Sequence, residues 1–404
     1  MSRLPAPMRA LNTVGRAWRA AGMPARKLDP DALIQTAMHD TGLSDIGDPA
    51  EFRPGLDQVC TALEQLPELP TTGRFAARRQ ILRALRQRLR RREWLAQRPR
   101  EFAKELRAPV VVVGLPRTGT TFLHRLLAAS DNARALPMWE VAMPFPPLDG
   151  PDKRRQTGVR GAQMMKRVVP DIDRKHTTGA DEPEECMHLQ DEAFLSWSWF
   201  SNYPIPTYTR WLQQADPTHA YRVWSDVLRF VQGREPSARL TLKSPSHTAW
   251  LDALLDHAPD ARLVWTHRDP AEVVPSFSSL VATTRGVSTT RQTADPHALG
   301  REICDHLAWL AERGMSHRPR IATGQLIDIS FSSLRSDPLG TVAKIHAHFG
   351  IPWTPSTAQR VQAEIDGRPR GRHGSHQYDL SEFGLSEGLI QQQFGPYMAL
   401  GLYK

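Results

Sequence analysis

The sequence has few cysteines and no long apolar run, and both absences narrow the class of protein. Its three cysteines, Cys60, Cys186 and Cys304, are far apart among 404 residues and form no Cys-x-x-Cys pair. This argues against a disulfide framework or a structural zinc site and predicts buried thiols. No segment approaches the roughly 18 to 20 apolar residues that span a bilayer, and the first 20 residues lack the apolar centre of a signal peptide. We therefore expect a cytoplasmic protein, with peripheral membrane association left open.

Positive charge is in excess, and much of it is concentrated in one segment of the sequence. Hydrophobic residues make up 40% of the chain and charged residues 24%, which is typical of a globular protein and excludes wholesale disorder. The net charge is +9, and residues 74–93 alone contain nine arginines. No zinc finger, RNP sequence or helix-turn-helix spacing accompanies them, so we do not expect nucleic acid as a partner.

Residues 74–93 are predicted to form a basic amphipathic helix. Apolar residues recur there at helical spacing: they are Phe75, Ile81, Leu82, Leu85 and Leu89. One interpretation is a surface helix whose arginines face water. The other is contact with an anionic membrane or an acidic partner, with a membrane-borne acceptor as its consequence.

The chain changes character near Ala108. Residues 1–107 are predicted to be a helical N-terminal region, because amphipathic stretches are separated by Pro and Gly and no strand pattern occurs. From 108 to 404, short β-branched runs alternate with helical patterns, which indicates an α/β fold with a central parallel sheet. The predicted strands are VVVVG ending at Gly114, and residues 239–243, 261–268 and 324–331. A Pro-, Trp- and Tyr-rich insertion at about 135–238 is interpreted as a cap or acceptor region.

A glycine-rich loop follows the first of these strands. Gly114 and Gly119 lie between the strand and a predicted helix, so backbone N–H groups and threonine hydroxyls can converge on a phosphate. In a nucleoside-triphosphate P-loop, a lysine would stand where this chain has Thr120. The cation here is Arg117, inside the loop, whose guanidinium can bind a tetrahedral oxyanion.

At these residues the sequence resembles that of the sulfotransferases that use 3′-phosphoadenosine 5′-phosphosulfate. The loop is similar to the family's segment for the 5′-phosphosulfate: Pro116, Arg117, Thr118, Gly119, Thr120 and Thr121. Arg268 and Ser276, after the strand at 261–268, resemble the family's segment for the donor's 3′-phosphate. The resemblance covers roughly residues 108–390 and implies a P-loop-like three-layer fold, a sulfotransferase activity and no metal.

Two later segments are also similar to that family. Residues 337–350 resemble its late helix, although a plain amphipathic helix explains them equally well. Residues 370–385 resemble the glycine-containing basic loop that closes over the donor, and Arg370, Arg372 and His373 would then contact a phosphate. A solvated basic loop is the alternative.

Sulfuryl transfer to a hydroxyl needs a base at the attacking oxygen and cations near the donor oxygens. Lys243, at a strand end in a segment resembling one in related sulfotransferases, is the second candidate cation after Arg117; an ordinary strand-end lysine is the alternative. For the base, residues 181–185 read as the first turn of a helix with four carboxylates. Glu185 is the first choice, since similar segments in bacterial relatives carry a glutamate, with Glu182 second on the same helical face. His247 is the competing base, because imidazole has a suitable pKa.

The acceptor and two competing functions stay open. The expected acceptor is a hydroxyl of a small molecule, a lipid or a sugar. Six aromatic residues could line its pocket or simply pack the cap: Trp197, Trp199, Phe200, Tyr203, Tyr208 and Trp211. The competing functions are an ATP-dependent phosphotransferase with a divergent P-loop and a non-catalytic nucleotide-binding scaffold. Thr120, Arg268 and Ser276 argue against the former.

Overall fold

A computed structural model describes residues 4–23, 25–169, 172, 179–289, 295–367 and 379–403. In this part of the chain five strands form one sheet. Four lie where the sequence predicts them, and the two-residue β2 was not predicted. The strands are β1 Val110–Gly114, β2 Ala133–Arg134, β3 Arg239–Lys243, β4 Arg262–His267 and β5 Leu326–Ser330.

Helices surround this sheet, and four of them precede it in the chain. The first seven are α1 Ala6–Ala20, α2 Pro30–Thr41, α3 Arg53–Glu64, α4 Thr71–Gln97, α5 Thr120–Ala128, α6 Met138–Ala142 and α7 Arg154–Val168. The others described are α8 Trp197–Asn202, α9 Pro206–Gln214, α10 Thr218–Arg234, α11 Leu251–His257, α12 Pro270–Thr284, α13 Pro296–His317, α14 Phe331–Ser336, α15 Pro338–His348, α16 Pro355–Asp366 and α17 Glu387–Met398. Short 3-10 helices include Cys186–Ala193 and Pro245–Trp250.

The sheet is parallel, with strand order β2-β3-β1-β4-β5. From β1 the chain proceeds to β2 and β3 on one side and then crosses to β4 and β5 on the other. The strand order therefore reverses beside β1, the position where open α/β sheets bind ligands at the carboxyl ends of their strands. Gly114, Lys243 and His267 end three neighbouring strands at this edge.

Both faces of the sheet are covered, which gives the three layers. Along β1 the side chains alternate: Val111 and Val113 join a large apolar cluster on one face, and Val110 and Val112 join a smaller one on the other. Helices α5, α15 and α16 contribute to the smaller cluster. The expected α/β fold with a central parallel sheet is thus confirmed.

The N-terminal helices share a core with the sheet. Leu33, Leu56 and Leu85, from α2, α3 and α4, belong to the same continuous apolar cluster as Val111 of β1. A domain boundary near residue 108 and the limits of the insertion at about 135–238 stay predictions. The three cysteines are buried free thiols, as predicted.

Helix α4 packs within the protein, which corrects the interpretation of residues 74–93 as a surface helix whose arginines face water; contact with a membrane or an acidic partner stays a prediction. Arg88 and Arg91 are buried rather than facing water. Six of the nine arginines form ion pairs with carboxylates: Arg74 with Glu64, Arg83 with Asp191, Arg86 with Asp40, Arg88 with Glu51, Arg91 with Glu192 and Asp226, and Arg92 with Asp45. Most of these arginines therefore have a carboxylate partner in the described protein, at the surface or in the interior.

The aromatic residues of the insertion pack the core. Side chains expected to line a pocket or fill the cap are at most 3% exposed, apart from the half-buried Trp211. They are Trp197, Trp199, Phe200, Tyr203 and Tyr208. Because these rings contact one another and neighbouring helices, packing the cap is the interpretation that the structure supports.

Candidate functional site

The loop after β1 has the shape of an anion cradle. Gly114 and Gly119 adopt φ of +119° and +87°, a region that side chains other than glycine rarely occupy. The Gly114 N–H donates to Thr248 Oγ1 at 2.8 Å, and the buried Thr118 hydroxyl donates to the Leu115 carbonyl at 2.6 Å. These bonds fix the turn so that its last glycine caps α5, leaving the positive helix end beside the loop.

Arg117, Arg268 and Ser276 meet at this loop. Arg117 Nε donates to Ser276 Oγ at 3.1 Å, and Arg268 Nη1 donates to the Arg117 carbonyl at 3.0 Å. Arg117 has φ +67°, an uncommon conformation for a residue with a side chain. Two guanidinium groups and a hydroxyl thus lie next to the helix N-terminus, a donor set that suits phosphate oxygens.

Arg268 also forms one wall of a cleft. Its guanidinium lies 4.3 Å from the centre of the Phe331 ring, and its Nε donates to Glu272 Oε2 at 2.8 Å. All three side chains line a cleft of ≈ 460 Å³ at the carboxyl ends of β4 and β5, which also includes Arg335 and Tyr403. A cleft with aromatic rings and two arginines, here beside two carboxylates, can accommodate a nucleotide.

Lys243 and Glu185 form an ion pair at the end of β3. The Nζ of Lys243 lies 2.5 Å from Glu185 Oε1; the lysine side chain is 1% exposed and the glutamate side chain 17%. Lys243 pairs in the sheet with Val112, two residues before the phosphate loop begins. A carboxylate and an ammonium group therefore meet beside the anion cradle, with the carboxylate on the solvent side.

His247 lies behind this pair and is fully buried. Its Nδ1 is 2.7 Å from the Tyr221 hydroxyl and its Nε2 is 3.0 Å from Cys186 Sγ. These groups form a continuous series of hydrogen bonds when protons are placed as follows. The tyrosine O–H donates to Nδ1, Nε2–H donates to sulfur, and S–H donates to the Lys243 carbonyl 3.6 Å away. Burial lowers the pKa of His247 to about 3 and raises that of Cys186 to about 12.

The acidic segment 181–185 is not the helix start that the sequence suggested. Pro183 forms an isolated bridge with Pro137, and the 3-10 helix begins only after Glu185. The expectation that Glu182 and Glu185 share one helical face is therefore wrong. Backbone hydrogen bonds hold this segment against residues 136–139, because Glu184 N–H donates to Leu136 O and Met138 N–H to Glu182 O.

Three of the four acidic side chains of this segment consequently pair with three different cations. Glu182 pairs with Arg125 of α5 at 2.7 Å, and Asp181 pairs with Arg155 of α7 at 2.6 Å. Only Glu185 of the two candidate bases contacts Lys243. The extended backbone thus separates two glutamates that a helix would have brought together.

The remaining predicted residues divide into two groups. Pro116, Thr118 and Thr120 are buried in the phosphate loop, and Thr121 is half-buried in the first turn of α5. Arg370, Arg372 and His373 lie outside the described residues. Their expected contact with a donor phosphate stays a prediction.

Sequence reasoning missed Phe331, Arg125 and Tyr221. Phe331 directly follows β5, so the strand-end rule that selected Arg268 would have found it. Arg125 could have been suspected because it lies one turn into the helix that follows the loop. Tyr221 has no such signal, since its contact with His247 depends on how α10 packs against the 3-10 helix at 245–250.

Comparisons with known proteins agree with this geometry. A family model described as "Sulfotransferase family" matches residues 109–355. The sequence is 27% identical over 258 residues to an omega-hydroxy-beta-dihydromenaquinone-9 sulfotransferase, Stf3, in Mycobacterium bovis and in Mycobacterium tuberculosis. That match covers 60% of this chain and 63% of the relatives' length.

Two solved structures are similar over nearly the whole chain. Sulfotransferase STF9 from Mycobacterium avium has a TM-score of 0.83 and 26% identity, covering 93% of this chain and 97% of that one. Sulfotransferase STF1 from Mycobacterium tuberculosis H37Rv has a TM-score of 0.75 and 29% identity, covering 91% of this chain and 98% of that one. The similarity therefore includes the N-terminal helices, which the family model does not cover.

Proposed function

The chain belongs to the sulfotransferase family, and from this premise we propose that it transfers a sulfuryl group from 3′-phosphoadenosine 5′-phosphosulfate to a hydroxyl group. The observation that carries the choice of donor is the meeting of Arg117, Arg268 and Ser276 at the N-terminus of α5. A donor with a phosphosulfate and a separate 3′-phosphate needs anion sites at two points. The loop supplies one, and Arg268 with Ser276 supplies the other.

Glu185 is the proposed base. It accepts the proton of the acceptor hydroxyl while that oxygen attacks sulfur, and the bond from sulfur to the bridging oxygen of the 5′-phosphate breaks. The products are the sulfated acceptor and adenosine 3′,5′-bisphosphate. Lys243 and Arg117 stabilise the negative charge that develops on the donor oxygens.

Burial favours Glu185 over His247 for this role. The carboxylate is 17% exposed and lies on the solvent side of Lys243, whereas both nitrogens of His247 already have partners in the interior. Glu182 is held by Arg125. We assign His247, with Tyr221 and Cys186, to positioning the segment that carries Glu185.

A lipid is the acceptor class that we propose. The support is the name of the Stf3 relatives, which describes a hydroxylated menaquinone derivative as the compound that those proteins sulfate. Four charged side chains line the cleft at Arg268, and we assign this cleft to the donor and not to the lipid acceptor.

Titration calorimetry with adenosine 3′,5′-bisphosphate tests the donor assignment. We expect metal-independent binding that is at least about tenfold weaker in Arg268→Ala, because a charge-assisted pair to the 3′-phosphate is lost. Arg262→Ala is the matched control, since Arg262 starts the same strand at its opposite end. It should bind like the wild type.

A parallel titration with ATP and magnesium separates the phosphotransferase alternative. The proposal predicts weaker binding of ATP than of adenosine 3′,5′-bisphosphate, because ATP lacks the 3′-phosphate. A preference for ATP with magnesium, or equal binding by wild type and Arg268→Ala, would overturn it.

A further inference from the structure

In the part of the chain that the structure describes, the exposed large hydrophobic side chains lie on a few N-terminal and neighbouring helices. Among the described residues there are seven of them, on α1 and the turn after it, on the first turns of α4, and on the last turns of α7. They are Leu11, Val14, Trp18, Met23, Phe75, Met164 and Met165. Single exposed apolar residues need no explanation, but seven on three neighbouring helices indicate an interaction surface.

Helix α1 is attached along one side only. Asn12 exchanges two hydrogen bonds with Thr72, from its Nδ2 to the Thr72 hydroxyl at 3.1 Å and from the Thr72 N–H to its Oδ1 at 3.0 Å. Leu11, Val14 and Trp18, spaced i, i+3 and i+7, are 47%, 62% and 53% exposed. They form an apolar stripe that nothing in the described protein covers.

The two other segments adjoin α1. Leu4 and Met8, at its beginning, pack on Val168 and Val169 at the end of α7. Phe75 is 61% exposed and lies three residues after Thr72, so it stands on the side of α4 that meets α1. The exposed side chains of α1, α4 and α7 therefore belong to one surface, called the α1 surface below.

Helices α1 and α7 contain basic residues and no acidic ones. Residues 1–28 contain no Asp or Glu, and neither do residues 153–169. Arg9, Arg16, Arg160 and Arg167 are exposed on α1 and α7. Arg155, also on α7, pairs with Asp181.

We propose that the α1 surface docks on an anionic lipid bilayer. A basic helix with an exposed apolar stripe and a tryptophan has the composition that binds in the interfacial plane of a membrane. In the described part of the chain no helix is long and apolar enough to cross a bilayer, so docking is peripheral. Leu11, Val14 and Trp18 enter the headgroup boundary, and the positive charge of the arginines attracts the helix to the anionic surface.

Docking there would bring the site close to the membrane. Leu280 and Val287 pack on the same small cluster as Leu4 and Met8. Leu280 belongs to α12 and lies one turn after Ser276 of the same helix. The docking inference itself does not depend on the transfer reaction, because it rests on the exposure and charge of α1 and α7.

Co-sedimentation with vesicles tests the proposal. We expect the wild type to bind vesicles of phosphatidylcholine mixed with phosphatidylglycerol, more strongly than pure phosphatidylcholine, with binding that weakens as salt rises. The variant Leu11→Ser/Val14→Ser/Trp18→Ser should bind mixed vesicles about tenfold or more weakly. Its unchanged titration with adenosine 3′,5′-bisphosphate would show that it is folded.

Two double variants distinguish an effect of charge on the α1 surface from an effect of the net charge of the protein on vesicle binding. Arg9→Gln/Arg16→Gln should weaken binding to mixed vesicles. Arg210→Gln/Lys344→Gln, which removes the same charge from exposed positions on α9 and α15, should not. The proposal is overturned if the wild type fails to sediment with mixed vesicles, or if the serine variant binds like the wild type.

A second copy of the chain is the other occupant that the stripe could fit. Sedimentation velocity of wild type and serine variant identifies that case. A wild-type dimer that the three serines convert to a monomer, without vesicle binding by either protein, would contradict the proposal.

Discussion

At the scale of single residues, hydrogen bonds beside Arg268 hold the carboxyl end of β4 in place. His267, which precedes it, lies with Nε2 2.8 Å from Asp328 Oδ1 and with Nδ1 3.0 Å from the Tyr397 hydroxyl. Arg318 Nη1 donates to the same oxygen of Asp328 at 2.9 Å. Asp328 on β5 thus links His267, at the end of β4, to Arg318, the residue after α13, while His267 itself contacts Tyr397 of α17.

Asp328 makes the stability of the protein depend on pH. Burial alone would raise the pKa of Asp328, but hydrogen bonds from His267 and Arg318 lower it from 3.8 to about 2. Because the pKa is lower in the folded state, the stabilisation is present above about pH 4 and is lost as pH falls toward 2. We expect Asp328→Asn to unfold with about 2 kcal/mol less free energy at pH 7. Denaturant titrations should show this difference shrinking between pH 4 and pH 2; a constant difference would contradict it.

Several residues of the site could be predicted from the sequence because their positions follow from strand ends. Arg268 and Lys243 end or follow parallel strands, and such ends share one edge of the sheet. The choice between Glu182, Glu185 and His247 could not be made. It depends on Pro183 bridging to Pro137 and on Tyr221 covering His247, both of which are contacts between segments distant in sequence.

At the scale of elements, the phosphate loop depends on a glycine that has two independent constraints. Gly119 has φ +87°, and a Cβ placed there would lie 2.9 Å from Leu334 Cδ2 and 3.2 Å from Phe331 Cδ2. Gly324, in the turn before β5, has φ +84° but no atom within 4 Å of such a Cβ. The two glycines differ in crowding and not in backbone strain.

Alanine substitutions at these two glycines distinguish the cost of a positive φ from the effect of crowding at the phosphate loop. Both variants should lose about 1–2 kcal/mol of unfolding free energy, because a side chain disfavours positive φ. Gly119→Ala should also weaken adenosine 3′,5′-bisphosphate binding about tenfold, because its methyl group crowds the side chains of Leu334 and of Phe331, whose ring lines the cleft at Arg268. Gly324→Ala should bind normally in the same titration. Equal binding by the two variants would show that the loop shape does not matter.

Elements with a strong local pattern were predictable, and those defined by tertiary contacts were not. The β-branched run of β1, and the short apolar runs that alternate with helical patterns after it, predict four of the five described strands. The two-residue β2 pairs only with β3 and has no pattern of its own. Residues 181–185 have a helix-start composition, but their backbone hydrogen bonds go to residues 136–139 instead of forming a first turn.

At the scale of the whole molecule, α4 joins the N-terminal helices to the rest of the chain through buried charge. Arg91 is 5% exposed and pairs with Glu192, also 5% exposed, and with Asp226 at 3.1 Å. These partners lie on the 3-10 helix after Glu185 and on α10. Burial of three charged groups is tolerated because each has an opposite charge in contact.

Neighbouring arginines of α4 allow a direct test of that link. Arg91→Met should lower the free energy of unfolding by about 3–5 kcal/mol, because it leaves Glu192 buried without its cation. Arg92→Met is the control: Arg92 is 37% exposed and pairs with the exposed Asp45, so its loss should cost at most about 1 kcal/mol. Similar values for the two variants in denaturant titrations would mean that the buried network contributes no more than a surface pair.

Transfer of labelled sulfate tests the central claim most directly. Wild type, Glu185→Gln and Glu182→Gln are each incubated with ³⁵S-labelled 3′-phosphoadenosine 5′-phosphosulfate and a panel of hydroxylated acceptors that includes lipid alcohols, and the initial rate of product formation is measured. We expect labelled product from the wild type, a rate about 10²–10³-fold lower for Glu185→Gln, and a much smaller loss for Glu182→Gln. Adenosine 3′,5′-bisphosphate should bind to all three proteins. A Glu185→Gln variant that keeps the wild-type rate would contradict the assignment of the base, and donor binding without any labelled product would contradict the transfer reaction itself.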